Sequence, residues 1–328
     1  MNIHAVQFVL QSRDAIGYGF SRHVEEFYKK TLPGDVIIFP EEIGLMSLVQ
    51  RFSSTNLEDI LEKVVQMPQS NYGDSGGKTV YDRSVVSYFA EYTFSHFHEL
   101  FSHLSNKYSV YTVSCNNDSN LPFSKSILPS GQDKVYNVAY VFSPEGARIF
   151  KQTKVNLTGT EKTIGLAAGS YNDIKLLKIN NIKLGIAISL DAFVPQYISR
   201  LEGADIIIQP DANNENWLSY LGNGRWQPDE WMDSAYYIAQ RLSGVKYVFN
   251  PMLNADLGTL RFEGQSAITK KGGSDDEKKS YLGNLPVVGF AELSEAFSYD
   301  PQNLVSRDEL AGKKLEIKEK LLSLEIKD

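Results

Sequence analysis

Short apolar runs recur along the chain with segments of helical apolar spacing between them, the pattern of an α/β protein rather than of separate helical and strand halves. "AVQFVL" predicts a first strand. Phe20, Val24, Phe27 and Tyr28 then share one helix face, "PGD" punctuates, and "VIIFP" predicts a buried strand. Val85, Phe89, Tyr92 and the aromatics up to Phe101 predict another helix, leading into the strand "YSVYTVSC". "VYNVAYVFSPEGARIFKQTKV" reads as two alternating strands joined by "PEG", a hairpin.

In "KLGIAISLDAFVPQYISRLEGADIIIQP" an apolar strand breaks at "SLD" into a helix, with Phe193, Val194, Tyr197, Ile198 and Leu201 on one face. Gly203 stops that helix before a second buried run. Trp231, Ala235, Ile238, Ala239 and Leu242 form a further stripe, begun by Pro228 and ended by Gly244, ahead of the strand "KYVFN". "QSNYGDSGGKT" and "KKGGSDDEKKS" read as exposed loops, and the Lys/Glu-rich segment from Asp308 as a terminal helix after the capping pattern "SRDE". The loop "DANNENWLSYLGNGRWQPDEW" follows a strand end and carries Trp217, Trp226 and Trp231. It is a candidate pocket cover, although Trp231 sits on the helix stripe and reads as core.

No break in composition divides the 328 residues, which are enough for one large domain with a sizeable core. The 33 basic and 40 acidic residues give a net charge of −7, spread along the chain. That excludes a nucleic-acid or anionic-membrane partner and leaves small molecules or proteins as ligands. One cysteine, Cys115, forbids an internal disulfide, and the first residues lack the features of a signal peptide, so a cytoplasmic setting is expected. No apolar run approaches the roughly 20 residues that cross a bilayer.

Several motifs mislead. "GDSGG" at Gly73 to Gly77 matches the surroundings of a protease serine, but that chemistry needs a histidine and an aspartate assembled on a different fold. "GGKT" at Gly76 to Thr79 lacks the first glycine of a phosphate loop, with Tyr72 in its place, and no buried strand precedes it. His98 and His103 are five residues apart, which splays them on a helix where a zinc pair needs a spacing of four. Cys115 ends an apolar strand and reads as a small buried hydrophobe.

Three segments place polar groups at the C-terminal ends of expected strands, where open α/β sheets gather ligands. "DVIIFPEEIG" delivers Glu41 and Glu42, "FKQTKVNL" delivers Lys154 with Glu161 following, and "LGIAISLDAF" delivers Ser189 at a strand-to-helix elbow. Each alone is weak, since an acidic pair is commonly a helix cap and a lone lysine a surface charge. In this order, with Gln7 in the first strand, "GADIIIQP" and the late "FEGQSAI", they resemble the nitrilase superfamily of carbon–nitrogen hydrolases over roughly the first 290 residues.

The resemblance implies a four-layer αββα sandwich over residues 1–295, a C-terminal extension with a terminal helix over 296–328, and a homodimer. It also implies Glu41 as general base, Lys154 as holder of the oxyanion, Ser189 at the nucleophile position, Glu161 as a second acid that orients substrate, and the backbone N–H of Leu190 as an oxyanion donor. The ligand would be a small amide or nitrile, and no metal or organic cofactor is implied. The departures are Ser189, where the family has cysteine, and Leu190, where it generally has an aromatic residue. A thiol near pKa 8.5 ionises readily, whereas a hydroxyl taken as like water starts about 7 units higher, on the order of 10 kcal/mol as an upper bound. None of the histidines at 4, 23, 96, 98 and 103 lies in a segment resembling the site. The expectation is a hydrolase-like chain with impaired or absent turnover; a non-catalytic protein binding an amide-like ligand or a protein partner stands beside it.

Overall fold

The computed structural model describes residues 1–66, 83–119, 134–272, 290–293 and 317–327. The "GDSGG" and "GGKT" segments lie outside them. In chain order the first half contains β1 (Asn2–Val9), α1 (Gly19–Tyr28), β2 (Val36–Ile38), α2 (Ser47–Phe52), α3 (Leu57–Gln66), α4 (Arg83–Tyr108), β3 (Tyr111–Ser119), β4 (Val135–Phe142), β5 (Arg148–Thr153) and the short α5 (Gly159–Thr163). There follow β6 (Leu177–Ile179), β7 (Ile182–Ile186), α6 (Pro195–Ile198), β8 (Ile206–Ile208), α7 (Gln227–Arg241), β9 (Tyr247–Asn250), β10 (Leu253–Asp256), β11 (Arg261–Phe262), β12 (Ala267–Lys270), β13 (Phe290–Leu293) and β14 (Lys320–Glu325).

Two sheets result. The first runs β11-β10-β1-β2-β3-β4-β5, with β14 also paired to β1; the second runs β13-β12-β9-β8-β7-β6. β1, β2 and β3 are parallel, as are β7, β8 and β9, while β4 and β5 form the expected antiparallel hairpin. Because the side-chain period of a strand is two, alternate residues serve different layers. Ile3, Ala5, Val36, Ile38, Cys115, Ala139 and Val141 meet Leu184, Ile186, Ile206, Ile208 and Phe249 between the sheets. Val6, Phe8, Ile37, Phe39, Val138 and Tyr140 pack outward on Phe20, Val24 and Phe27 of α1, Val49 of α2, and Phe97 and Phe101 of α4. On the far side Ile207 and Val248 meet Tyr197 and Ile198 of α6 and Ala235, Ile238 and Ala239 of α7. The layers are helix, sheet, sheet, helix, and burial on both faces is why the strands read as unbroken apolar runs.

Three expectations need correction. Residues 320–325 form a strand antiparallel to β1, with Leu322 facing the inter-sheet core, and not part of a terminal helix. In "LLSLEIK" the alternation of Leu322, Leu324 and Ile326 with polar neighbours outweighs the helix propensity of lysine and glutamate. The helix expected after "SLD" is broken into a 3-10 turn at Ser189–Phe193, α6, and a second turn at Ser199–Leu201, because Pro195 supplies no amide hydrogen to continue the first turn. Trp217 and Trp226, read as covers, are fully buried, whereas Trp231 is half-buried with its ring 4.5 Å from that of Phe193.

Candidate active site

The C-terminal ends of β2, β5, β7 and β8 carry the functional groups. Beyond β2 the Phe39 amide still donates to Val113 O at 2.8 Å, after which Pro40 ends the ladder and Glu41 turns inward, 3% exposed. Glu42 follows at φ 59°, a left-handed conformation rare for a residue with a side chain. The turn is tied to β3 by the Gly44 amide, which donates to Cys115 O at 3.0 Å. A Cβ on Gly44 would stand 2.2 Å from Asn116 Oδ1, so this close approach needs glycine.

Lys154, 2% exposed, follows β5 with its backbone held from both sides: its amide donates to Asn137 O and its carbonyl accepts from Gly169 N. Its Nζ donates to Glu41 Oε1 and to Glu161 Oε1, each at 2.8 Å. Glu161 is placed by a capping box, in which Thr158 Oγ1 accepts from the Glu161 amide and Glu161 Oε2 from the Thr158 amide. One carboxylate oxygen therefore starts α5 while the other faces the lysine. Glu41 Oε1 also accepts from Asn137 Nδ2 at 2.7 Å, and Oε2 from the Ala212 amide at 3.0 Å.

Ser189 continues the β7–β8 register, its amide donating to Pro210 O at 3.0 Å, and turns at φ 47°. Two ties draw this elbow toward the charged groups. Pro210 leads through Asp211 to Ala212, whose amide holds Glu41. Asp191, two residues after the serine, accepts from the amides of Val155 and Asn156, the residues after Lys154, at 3.2 and 2.7 Å. Glu41, Lys154 and Glu161 are thus brought into direct contact, with Ser189 joined to them through backbone ties; Leu190 is half-buried beside it. The Ser189 hydroxyl makes no hydrogen bond among the described residues. The histidines serve elsewhere: His4 bonds Asp35 and Ser323, His23 bonds Asp14 and Glu319, His96 approaches Ser21, His98 lies against the Phe142 ring, and His103 is exposed.

Burial pushes the Glu41 carboxyl above its ordinary range, against the pull of Lys154. Glu42 is only half-buried; the hydration it does lose and the charges of Glu41 and Glu161 push it up to about 8. Asp211 rises to about 7, chiefly from burial and then from Glu41. For Lys154 burial favours the neutral amine, but Glu41 and Glu161 outweigh it and hold the ammonium above its usual range. It is therefore a fixed cation, suited to holding negative charge and unsuited to removing a proton. Burial raises Cys115 too, in keeping with an inert core thiol.

Carboxylate oxygens of Glu41, Glu42 and Glu161 lie within 4.8 Å of one another, the donor set from which a cation site could be built. The Lys154 ammonium already supplies positive charge there. Glu42 was delivered beside Glu41 but given no role by sequence, and Asn137, Asp191 and Asp211 were not singled out as site groups. Their one signal is a polar residue inside or just beyond a buried run, as in "VYNVAYVF" and "IIIQPDA". Gln7 gave the same signal and spans the fold, accepting from the Ser266 amide and donating to Lys318 O, each at 2.7 Å.

No protein-family model and no curated sequence matches the chain. Solved structures do. The carbon–nitrogen hydrolase from Helicobacter pylori G27 is 16% identical, with 82% of each chain covered and a TM-score of 0.55. A double mutant of the amidase from Nesterenkonia sp. AN1, in complex with acrylamide, is 12% identical over 89% of this chain and 88% of that one, with a TM-score of 0.52. A single mutant of that amidase, from the nitrilase superfamily, gives 12% identity and a TM-score of 0.51 over 82% of each chain. At these identities the likeness is one of architecture, and the chain has the nitrilase-superfamily fold.

Proposed function

We propose that this chain is a carbon–nitrogen hydrolase-like protein that holds a small amide or nitrile between Glu41, Lys154 and Ser189, with turnover impaired or absent. The observation that carries this reading is the buried Lys154 ammonium bridging Glu41 and Glu161, at the strand ends tied to the strained Ser189 elbow. In the proposed roles Lys154 and the Leu190 amide face the carbonyl oxygen or nitrile nitrogen, Glu161 orients Lys154, and Glu41 accepts a proton. A serine in this setting lacks what a hydroxyl needs. The lysine is held charged, no histidine is at hand among the described residues, and Glu41 already accepts from three donors. The same observations favour the stricter form, a binding protein without catalysis.

The test is to assay ammonia release by the full chain and by Ser189→Cys against acetamide, propionamide, butyramide and the matching nitriles. The native chain is expected near background, with the cysteine variant faster by about 10²-fold or more. Equal rates well above background in the two would make this a working serine hydrolase. Neither binding nor turnover of any compound by either protein would sink the amide reading.

A further inference from the structure

Two of the three carboxylates around Lys154 have the ammonium as partner, and Glu42 does not. The lysine donates to Glu41 and Glu161; Glu42 forms no ion pair among the described residues. Its partners are amides: Asn117 Nδ2 at 3.2 Å from Oε2 and Asn137 Nδ2 at 3.2 Å from Oε1. The Asn137 nitrogen also faces Glu41 at 2.7 Å and Glu161 at 3.4 Å, so two hydrogens meet three acceptors. If all three acids were ionised, this set, in which Glu41 is buried and Glu42 and Glu161 partly so, would crowd three negative charges within 4.8 Å and hold two beyond what Lys154 balances, a repulsion that favours a proton on one of them. The proton that relieves the excess belongs on the carboxylate without a cation.

A separate observation agrees. Asn117 Oδ1 and Asn137 Oδ1 are buried and accept no hydrogen bond among the described residues. Turning the Asn117 amide by half a rotation presents its oxygen to Glu42, where a carboxylic acid, unlike a carboxylate, has a hydrogen to donate, while the Asn137 nitrogen stays toward the Glu41 carboxylate.

We propose that Glu42 is a positioning residue that works as a neutral acid, donating its proton to the Asn117 side chain and so leaving Glu41 and Glu161 ionised around Lys154. The titratable groups facing it are Glu41 on its own turn, Cys115 from β3, Lys154 after β5 and Glu161 of α5, with Asp211 beyond Glu41. The direction of its equilibrium is consistent, since partial burial and the two neighbouring acids hold it protonated to about 8. The positioning role rests on the amide-site reading; the location of the proton does not.

Glu42→Gln mimics the protonated acid. Unfolding of the native full chain and of this variant is followed from pH 5 to 9.5. Relative to E42Q, the folded-to-unfolded ratio of the native chain is expected to fall by up to tenfold per pH unit toward pH 8 and to level off beyond it. Parallel curves, or a native chain gaining on the variant as pH rises, would overturn the proposal. Should E42Q fail to fold, infrared spectra of the native chain with carbon-13-labelled glutamate carboxyls decide: a protonated-carboxyl band that persists at pH 7 and fades near pH 8 supports it, and absence of that band at pH 7 refutes it. In the Ser189→Cys background, butyramide turnover should fall as pH rises through about 8 when Glu42 is present, and E42Q should remove that fall. A fall retained in E42Q would refute the positioning role. A failed amide assay leaves the unfolding comparison intact, so the two ideas fail separately.

Discussion

Replacing Lys154 by methionine removes the ammonium while keeping a long unbranched side chain. At 2.8 Å, each contact with Glu41 and Glu161 is a gross attraction of about 6 kcal/mol at an effective dielectric of 20. Repulsion within the acid cluster, at the 4.8 Å limit of its spacing, returns about 3.5 kcal/mol per ionised pair. Desolvation of each buried ion costs several kcal/mol more, so the measurable loss on breaking such a pair is about 3–5 kcal/mol. Entropies of unfolding scale to about 0.7 kcal/mol/K for 328 residues. The variant should therefore melt about 4–7 °C lower at pH 8. Near pH 5 the loss should shrink, because the acids left behind take up protons and no longer need the cation. Calorimetric melting at both pH values checks this. A variant as stable as the native chain at pH 8, or an equal loss at both, would refute the account of Lys154 as the cation that holds the acids together.

Two further outcomes follow from described contacts. Removing the Tyr197 hydroxyl (Tyr197→Phe), which donates to Ile186 O at 2.8 Å just before the elbow, should cost about 1–2 kcal/mol in urea unfolding by orphaning a buried carbonyl. In His23→Gln the sign of the pH dependence is the test. Burial favours neutral His23, but Asp14 and Glu319 overcome it and raise its pKa above 6.5. The stabilisation is thus fully present below the unfolded value and is lost as pH rises through the folded one. Urea midpoints should show a gap of roughly 1.5–3 kcal/mol near pH 6, closing toward pH 9; a gap that widens with pH would contradict the ion pair.

Much of the architecture was legible because its strands are buried on both faces. "VIIFP" and "DIIIQP" could only be interior strands, and the helices of α1 and α7 showed clear stripes. Glu41 and Lys154 stood at strand ends, Glu161 entered through the family resemblance, and the structure brings those three together. What sequence hid was contact between distant polar groups. Asn137 looks like one polar residue in a strand, and only pairing of β4 with β3 and β5 shows that its amide faces three acids. Asp191 was visible in "SLD", but its grip on the residues after Lys154 depends on the packing of two sheets. The strand at 320–325 was missed because residue preference was weighed above alternation, although Leu322, Leu324 and Ile326 carried the period of two.

The pairing of β14 with β1 has a consequence for the timing of synthesis. Asn2 to Gln7 lie opposite Glu325 to Lys320, so β1 waits for partners more than 300 residues later in the chain. At about 5–20 residues per second that interval is roughly 15–60 s. Throughout it β1 has an open edge along most of its length, the kind of surface that captures other chains. Native assembly of the first sheet is thus completed only after translation has passed residue 325, and nascent chains halted before residue 320 should be the ones that depend on chaperones.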